Sequence, residues 1–205
     1  LSSSLAGFNE LTSWVNQLAT IHSKLGAGPG RRHNQEALYR AGVVMTVAAW
    51  ESYVEGLLKE SFKALQPNAG ASVGERSTWA LANTAAHLAT KKFNTPNAKN
   101  VADLFEEHLG IAVMAAWSVN TKTATYTSDQ SKTRINQWLD IRHKIAHGGS
   151  LPSNITWILN PKNKPRLTLA LMNEVKAFFH ELAKSMDEHV ANELVAQYGL
   201  AAKPW

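Results

Sequence analysis

Apolar side chains recur at three- and four-residue steps along most of this chain, and that period points to helices packed on helices. The longest run extends from about Asn34 to Leu65. It places Leu38, Val44 or Met45, Ala48, Val54, Leu57 or Leu58, Phe62 and Leu65 on one face, with no proline inside it. At about 1.5 Å per residue this is a rod of roughly 45 Å. A second long run, from about Ala170 to Tyr198, carries Leu171, Val175, Phe178, Phe179, Leu182, Met186, Val190 and Leu194.

Shorter helices fill in around these two. Ser4 to Leu25 has Phe8, Leu11, Val15, Leu18, His22 and Leu25 in helical step, with Ser2 to Ser4 as N-caps and Gly26-Ala27-Gly28-Pro29-Gly30 as a break. Arg76 to Ala89 and Lys99 to Leu109 read as further helices, and Ile111 to Ser118 as a short apolar piece of undefined type. Thr121 to Ser128 is polar and reads as a loop. Ser128 or Asp129 then caps a helix that runs to about Ala146, with Ile135, Trp138, Leu139, Arg142 and Ile145 or Ala146 on its stripe and Gly148-Gly149 ending it. Ile155 to Leu159 and Arg166 to Leu169 alternate like strands about a Pro/Asn/Lys turn, so a small hairpin is expected near 155–169. The expectation is an all-α bundle of five or six helices in one domain, 1–205.

Composition removes several classes of function. The chain is 44% hydrophobic and 18% charged, too apolar for a disordered segment. It has no cysteine, which excludes disulfide scaffolds, thiolate zinc sites and cysteine nucleophiles. No apolar stretch reaches the roughly 18 residues of a membrane span, and no secretory signal is visible, so the expectation is a cytoplasmic protein without a membrane partner. His180-Glu181 begins like a zinc helix motif, but Lys184 stands where the second histidine belongs. The glycines at 26, 28 and 30 follow a helix and precede no Lys-Ser/Thr pair, so they make no phosphate loop. Of the seven tryptophans, Trp14, Trp50, Trp79, Trp117, Trp138 and Trp157 are scattered among apolar neighbours and read mainly as core or interface. Neither a metal nor another cofactor is expected.

Chemistry concentrates in Asp140-Ile141-Arg142-His143-Lys144-Ile145-Ala146-His147-Gly148. Cations at a helix C-terminus are favoured by the macrodipole, and glycine is a common residue just past a helix end, so a plain capped helix explains part of this. Arg142, however, falls on the apolar stripe, and a half-enclosed guanidinium needs an anion from a side chain or a ligand. His147 sits at the exit turn. Histidine moves protons near neutral pH and arginine holds a phosphate, which together suit phosphodiester cleavage.

Arg142 through Gly148 resembles the R-x4–6-H signature of the HEPN superfamily, in which a polar residue follows the arginine and the motif ends a helix of a small α-bundle. The segment Ala48-Ala49-Trp50-Glu51-Ser52-Tyr53-Val54-Glu55 resembles the W-E-x-Y helix of the RiboL-PSP-type group, and Phe105, Leu109-Gly110-Ile111 and Trp117 fit its middle part. The resemblance implies a metal-independent endoribonuclease acting on RNA as a homodimer, with two Arg/His motifs meeting across the interface. The RNA 2′-OH attacks the adjacent phosphate and leaves a cyclic phosphate and a 5′-OH. His147 is then the general acid/base and Arg142 the phosphate ligand, with His143 in support. Glu51 either orients Arg142 or His147, or is an ordinary solvent-facing carboxylate. Members of this superfamily act as toxins paired with an antitoxin or another regulatory protein, or as phage-defence effectors; others are non-catalytic modules that bind RNA, nucleotides or proteins.

Two further observations bear on this. Five residues at 100° each put Arg142 and His147 about 140° apart on a regular helix, so they converge only if the helix ends at His147 or if a second copy completes the site. Between Ser131 and Arg166 the chain has seven basic residues (Lys132, Arg134, Arg142, Lys144, Lys162, Lys164 and Arg166) and one acid, Asp140, an excess greater than the whole chain's +5. Lys144 and the turn carrying Lys162, Lys164 and Arg166 are therefore candidate RNA-backbone contacts, whereas Lys132 and Arg134 also read as ordinary solvated residues.

Overall fold

The computed structural model describes residues 1–24 and 35–205. Among them run six α-helices: α1 (Ser3–Lys24), α2 (Glu36–Ala64), α3 (Val73–Lys92), α4 (Ala98–Leu109), α5 (Ser128–Ala146) and α6 (Leu169–Tyr198). The glycine-rich break after α1, the expected end at Leu25 and the expected start at Asn34 lie outside the described residues. The chain belongs to the all-α class. None of the described helices is long and apolar enough to cross a membrane.

Helix α2 is the axis of the bundle. It is buried on several sides, through Val43, Val47, Ala49, Trp50, Tyr53, Val54, Leu57, Leu58 and Phe62. Helices α1 and α6 pack along it and α5 lies against it as well. Close approach needs small residues. A Cβ on Gly42 would come within 2.5 Å of Met172 on α6 and 3.4 Å of Val15 on α1, and one on Gly56 would collide with Ser4 of α1. Several polar groups around α2 are satisfied, whereas the indole N–H groups of Trp117 and Trp138 have no partner among the described residues. Trp50 donates its indole N–H to the Pro96 carbonyl at 3.1 Å and Tyr53 its hydroxyl to the Ala183 carbonyl at 2.8 Å. Thr46 and Ser61 return their hydroxyls to carbonyls one turn back, at 2.8 Å each.

The serines at the start do more than cap. Ser2 accepts from the Leu5 amide at 2.9 Å, the N-cap geometry, and its own amide and hydroxyl donate to the buried Asp187 carboxylate on α6. Ser3 and Ser4 donate to Glu60 on α2. The entry of α1 is thereby fastened to both long helices.

Three expectations need correction. Helix α5 is capped by Thr127, not by Ser128 or Asp129; the Thr127 hydroxyl accepts from Gln130 while the Gln130 side chain accepts from the Thr127 amide. Helix α3 begins before Arg76, because Ser72 and Glu75 form the same reciprocal cap. The expected hairpin at 155–169 is a 3-10 turn, Thr156–Ile158, followed by one bridge between Leu159 and Pro165. The bridge is flanked by bonds from the Arg166 amide to the Ile158 carbonyl at 2.8 Å and from the Asn160 amide to the Lys164 carbonyl at 3.0 Å, and it goes no further because the Ile158 amide bonds back to the Ile155 carbonyl in the 3-10 turn. The two-stranded ribbon lies instead in the segment read as apolar piece and loop, pairing β1 (Val119–Asn120) with β2 (Thr125–Tyr126) in antiparallel fashion. Its turn is held by Thr121, which receives the Ala124 amide on its hydroxyl at 3.0 Å. The apolar piece before it is a 3-10 turn, Val113–Ala116. Trp50, Trp117 and Trp138 are core residues as read, but Trp14 is half exposed.

Gly42→Val should therefore destabilise the fold by about 1–3 kcal/mol, the usual cost of forcing added volume into a packed core. Chemical denaturation of the variant checks this, and an unchanged midpoint would contradict the close α2–α6 contact.

Candidate functional site

Helix α5 ends at Ala146, with His147 as the residue just beyond. Gly148 takes the left-handed conformation, φ 68°. The Gly149 amide then reaches the Lys144 carbonyl at 2.8 Å and the Gly148 amide the Ile145 carbonyl at 3.3 Å. These two bonds are the Schellman closure of a helix, and they turn the chain sharply at His147. His147 and His143 are one turn apart and both exposed, with ring centroids 4.3 Å apart and planes at 50°. Lys144 between them is also exposed.

Arg142 is half-buried, its side chain 31% exposed, and its Nη2 lies 3.8 Å from Glu51 Oε2 on α2, whose side chain is 20% exposed. Of the two alternatives for Glu51, the structure places it beside Arg142. The ion pair is longer than a hydrogen bond, and the buried Nε of Arg142 has no hydrogen-bond partner among the described residues. The guanidinium is thus neutralised by Glu51 without its donors being used up. Burial pushes the Glu51 carboxyl above its ordinary value; Arg142 pulls it down and Glu55 pushes it up.

Within one chain the site resolves into two pairs, Arg142 with Glu51 and His143 with His147, and no hydrogen bond, ion pair or ring contact joins one pair to the other. The basic turn is separate again. Lys162, Lys164 and Arg166 are exposed, on a turn built by Asn160, whose side chain accepts the amides of Lys162 at 2.8 Å and Lys164 at 3.1 Å. The turn is anchored to the middle of α5 through Trp157, which donates to Gln137 at 2.7 Å and packs on Trp138 with ring centroids 4.7 Å apart. None of the three basic side chains forms an ion pair with the described residues.

The reading of Lys132 and Arg134 as solvated residues divides. Lys132 is a surface partner of Asp129 at 2.9 Å. Arg134 is 17% exposed and lies over the Trp157 ring at 4.0 Å, 3.8 Å from Glu174 on α6, and within 3.3 Å of the Tyr126 hydroxyl. Tyr126 in turn donates to Glu174 at 2.9 Å. The signal was present: Ser131, Arg134, Ile135 and Trp138 keep the same three-and-four step that singled out Arg142. This cluster ties β2, α5, α6 and the basic turn together, so its part is to hold the turn against the helix.

The described residues form an all-α, HEPN-like bundle. Residues 8–192 match the RiboL-PSP-HEPN family, and the chain belongs to it. No curated protein and no solved structure matches the chain.

Replacing Arg142 with Ala removes the charge that holds the Glu51 carboxyl down, so its pKa should rise further; a carboxyl-resolved NMR titration measures it, and a fall would contradict the pairing. The linkage has a definite sign. A carboxyl whose folded value is raised keeps its proton longer in the folded chain, so stability declines as pH climbs from the ordinary glutamate range through that raised value. The decline should be larger in Arg142→Ala than in the native chain.

Proposed function

We propose that the chain is a metal-independent endoribonuclease of HEPN type, active as a homodimer whose composite site is formed by Arg142 and His147 of the two copies. The observation that carries this reading is the helix end itself. A half-buried arginine with a loosely held counter-ion stands five residues before an exposed histidine fixed at the turn. One histidine takes the proton of the RNA 2′-OH as that oxygen attacks the neighbouring phosphorus. The P–O5′ bond breaks, a second histidine protonates the leaving O5′, and the products are a 2′,3′-cyclic phosphate and a 5′-OH. Arg142 stabilises the charge that builds on the phosphoryl oxygens, with Glu51 orienting it and His143 supporting His147. Pairing two copies supplies two histidines and removes the angular separation of Arg142 and His147 along one helix. Lys144, Lys162, Lys164 and Arg166 hold the RNA backbone. A cytoplasmic toxin held by an antitoxin, or a phage-defence effector, is the setting that fits such an activity.

A second reading, a HEPN module that binds RNA, a nucleotide or a protein without cutting, is favoured by one fact: Arg142 and His147 do not touch within the chain. The two readings separate in one assay. Cleavage of single-stranded RNA should persist in EDTA and fall by about a hundredfold or more in His147→Ala and in Arg142→Ala, with the thermal melts of both variants retained. Cleavage that survives both substitutions sinks the ribonuclease, and binding without cleavage in the native chain establishes the module.

The basic turn makes its own prediction. Neutralising Lys162, Lys164 and Arg166 together should weaken RNA binding about equally for all sequences and flatten its dependence on salt. Titrations at several ionic strengths measure the slope, and an unchanged slope removes the turn from the interface.

A further inference from the structure

Helices α1 and α6 leave a cleft of about 690 Å³ between them, with the tip of the β1–β2 ribbon, Thr121 to Thr123, as its third wall. That volume is in the ordinary range of small-molecule sites, roughly 300–1,000 Å³. Amide and hydroxyl side chains line it, Asn9 and Ser13 from α1 and Asn173 from α6, beside the small apolar Ala170 and Ala177. The acids on its walls have partners. Glu174 is shared by Arg134 and Tyr126, and Glu181 lies 3.2 Å from Nδ1 of His180. Neither lysine on its walls has an acid among the described residues. Lys176 of α6 is half-buried, and its ammonium donates to the neutral side-chain oxygen of Asn16 on α1. Lys122 stands exposed on the ribbon tip and forms no hydrogen bond or ion pair with the described residues. A cation held partly out of water without a counter-charge is costly. Burial accordingly pushes the Lys176 ammonium below its ordinary value.

We propose that this cleft binds a small organic phosphate the size of a mononucleotide, with Lys176 and Lys122 clamping the phosphate from two walls. The ligand class follows from the two cations without acids. A phosphate monoester carries a charge of about −1.5 to −2 near neutral pH, which two ammonium groups match, whereas a carboxylate supplies only one. Lysine meets phosphate as a point charge, so a clamp of two needs no fixed fork geometry. Lys176 is set on a long helix and Lys122 on a turn whose Thr121 hydroxyl is held by the Ala124 amide, so both walls are built before a ligand arrives. The organic part lies on Ala170 and Ala177, and the amides of Asn9 and Asn173 take its polar edge. No residue of the cleft belongs to the Arg142–His147 end or to the basic turn of Lys162, Lys164 and Arg166. The site is therefore separate from the one that holds RNA, and the proposal stands apart from whether the chain cuts it.

The test is calorimetric titration of the full chain with AMP, adenosine and inorganic phosphate. AMP should bind, and adenosine should bind more weakly by about tenfold or more, the loss of one charge-assisted contact. Lys176→Gln and Lys122→Gln should each weaken AMP by about the same factor with the circular dichroism melt retained. Arg142→Ala and Lys162→Gln should leave AMP binding unchanged. Lysine-resolved NMR gives a second reading: the Lys176 pKa should rise when AMP binds, because a neighbouring anion favours the charged ammonium. Absence of binding by both AMP and inorganic phosphate at millimolar concentration overturns the proposal. So does equal binding of AMP and adenosine, an affinity indifferent to Lys176 and Lys122, or a Lys176 pKa that stays put. Loss of AMP binding in Arg142→Ala or Lys162→Gln in their place assigns the phosphate to the RNA site and overturns it as well.

Discussion

Trp50 and Tyr53 hold this bundle together. They stack on one another with centroids 5.6 Å apart, and Trp50 meets Phe179 of α6 at 5.4 Å. Their polar ends reach the Pro96 and Ala183 carbonyls, so one turn of α2 fixes the loop before α4 and the middle of α6 at once. Buried aromatic surface supplies the free energy and the two hydrogen bonds supply the register, since each indole or phenol left unpaired in the core would cost about 1–3 kcal/mol. The glycines that admit Met172 and Ser4 to the same helix complete this constraint: α2 is positioned by neighbours on several sides and has little room to slide.

Much of this was legible in the sequence because it rests on local regularities. The long runs of α2 and α6 keep their period through many turns, and the end of α5 is written in Gly148, which its left-handed conformation requires. Arg142 was legible for the same reason, since an arginine on an apolar stripe needs an acid, and Glu51 is that acid. The start of α3 is also written in the sequence, in the Ser72 and Glu75 spacing of a reciprocal cap. What the sequence hid was long-range. Arg134 sits on the same stripe as Arg142, but its partners Tyr126, Trp157 and Glu174 come from three other segments, and only folding brings them together. The ribbon at β1 and β2 is two residues per strand, too short for any alternation to register.

The two arginines of α5 show how one pattern yields opposite results. Arg134 is enclosed, stacked on an indole and shared between a carboxylate and a phenol. Arg142 has one carboxylate at 3.8 Å and an unpaired Nε–H, with no aromatic ring or hydroxyl on it among the described residues. An ion pair shared among several packed partners mainly gives specificity to the packing. A loosely held guanidinium at a helix end is available to a ligand anion. The carboxylate lies 3.8 Å away in both and each leaves one buried guanidinium nitrogen unpaired; the number of partners and the exposure, 17% against 31%, separate them.

Glu51 follows Trp50 directly along α2, and that adjacency binds core to chemistry. The side chain that sets the register of the bundle and the one that faces Arg142 share a backbone, so a rotation of α2 sufficient to relieve a packing defect would swing the carboxylate away from the guanidinium. Core and site therefore cannot drift independently over evolutionary time. Substitutions tolerated at Trp50 are restricted by electrostatics they never touch, and a repacked interior would have to be accepted or rejected together with the charge it positions.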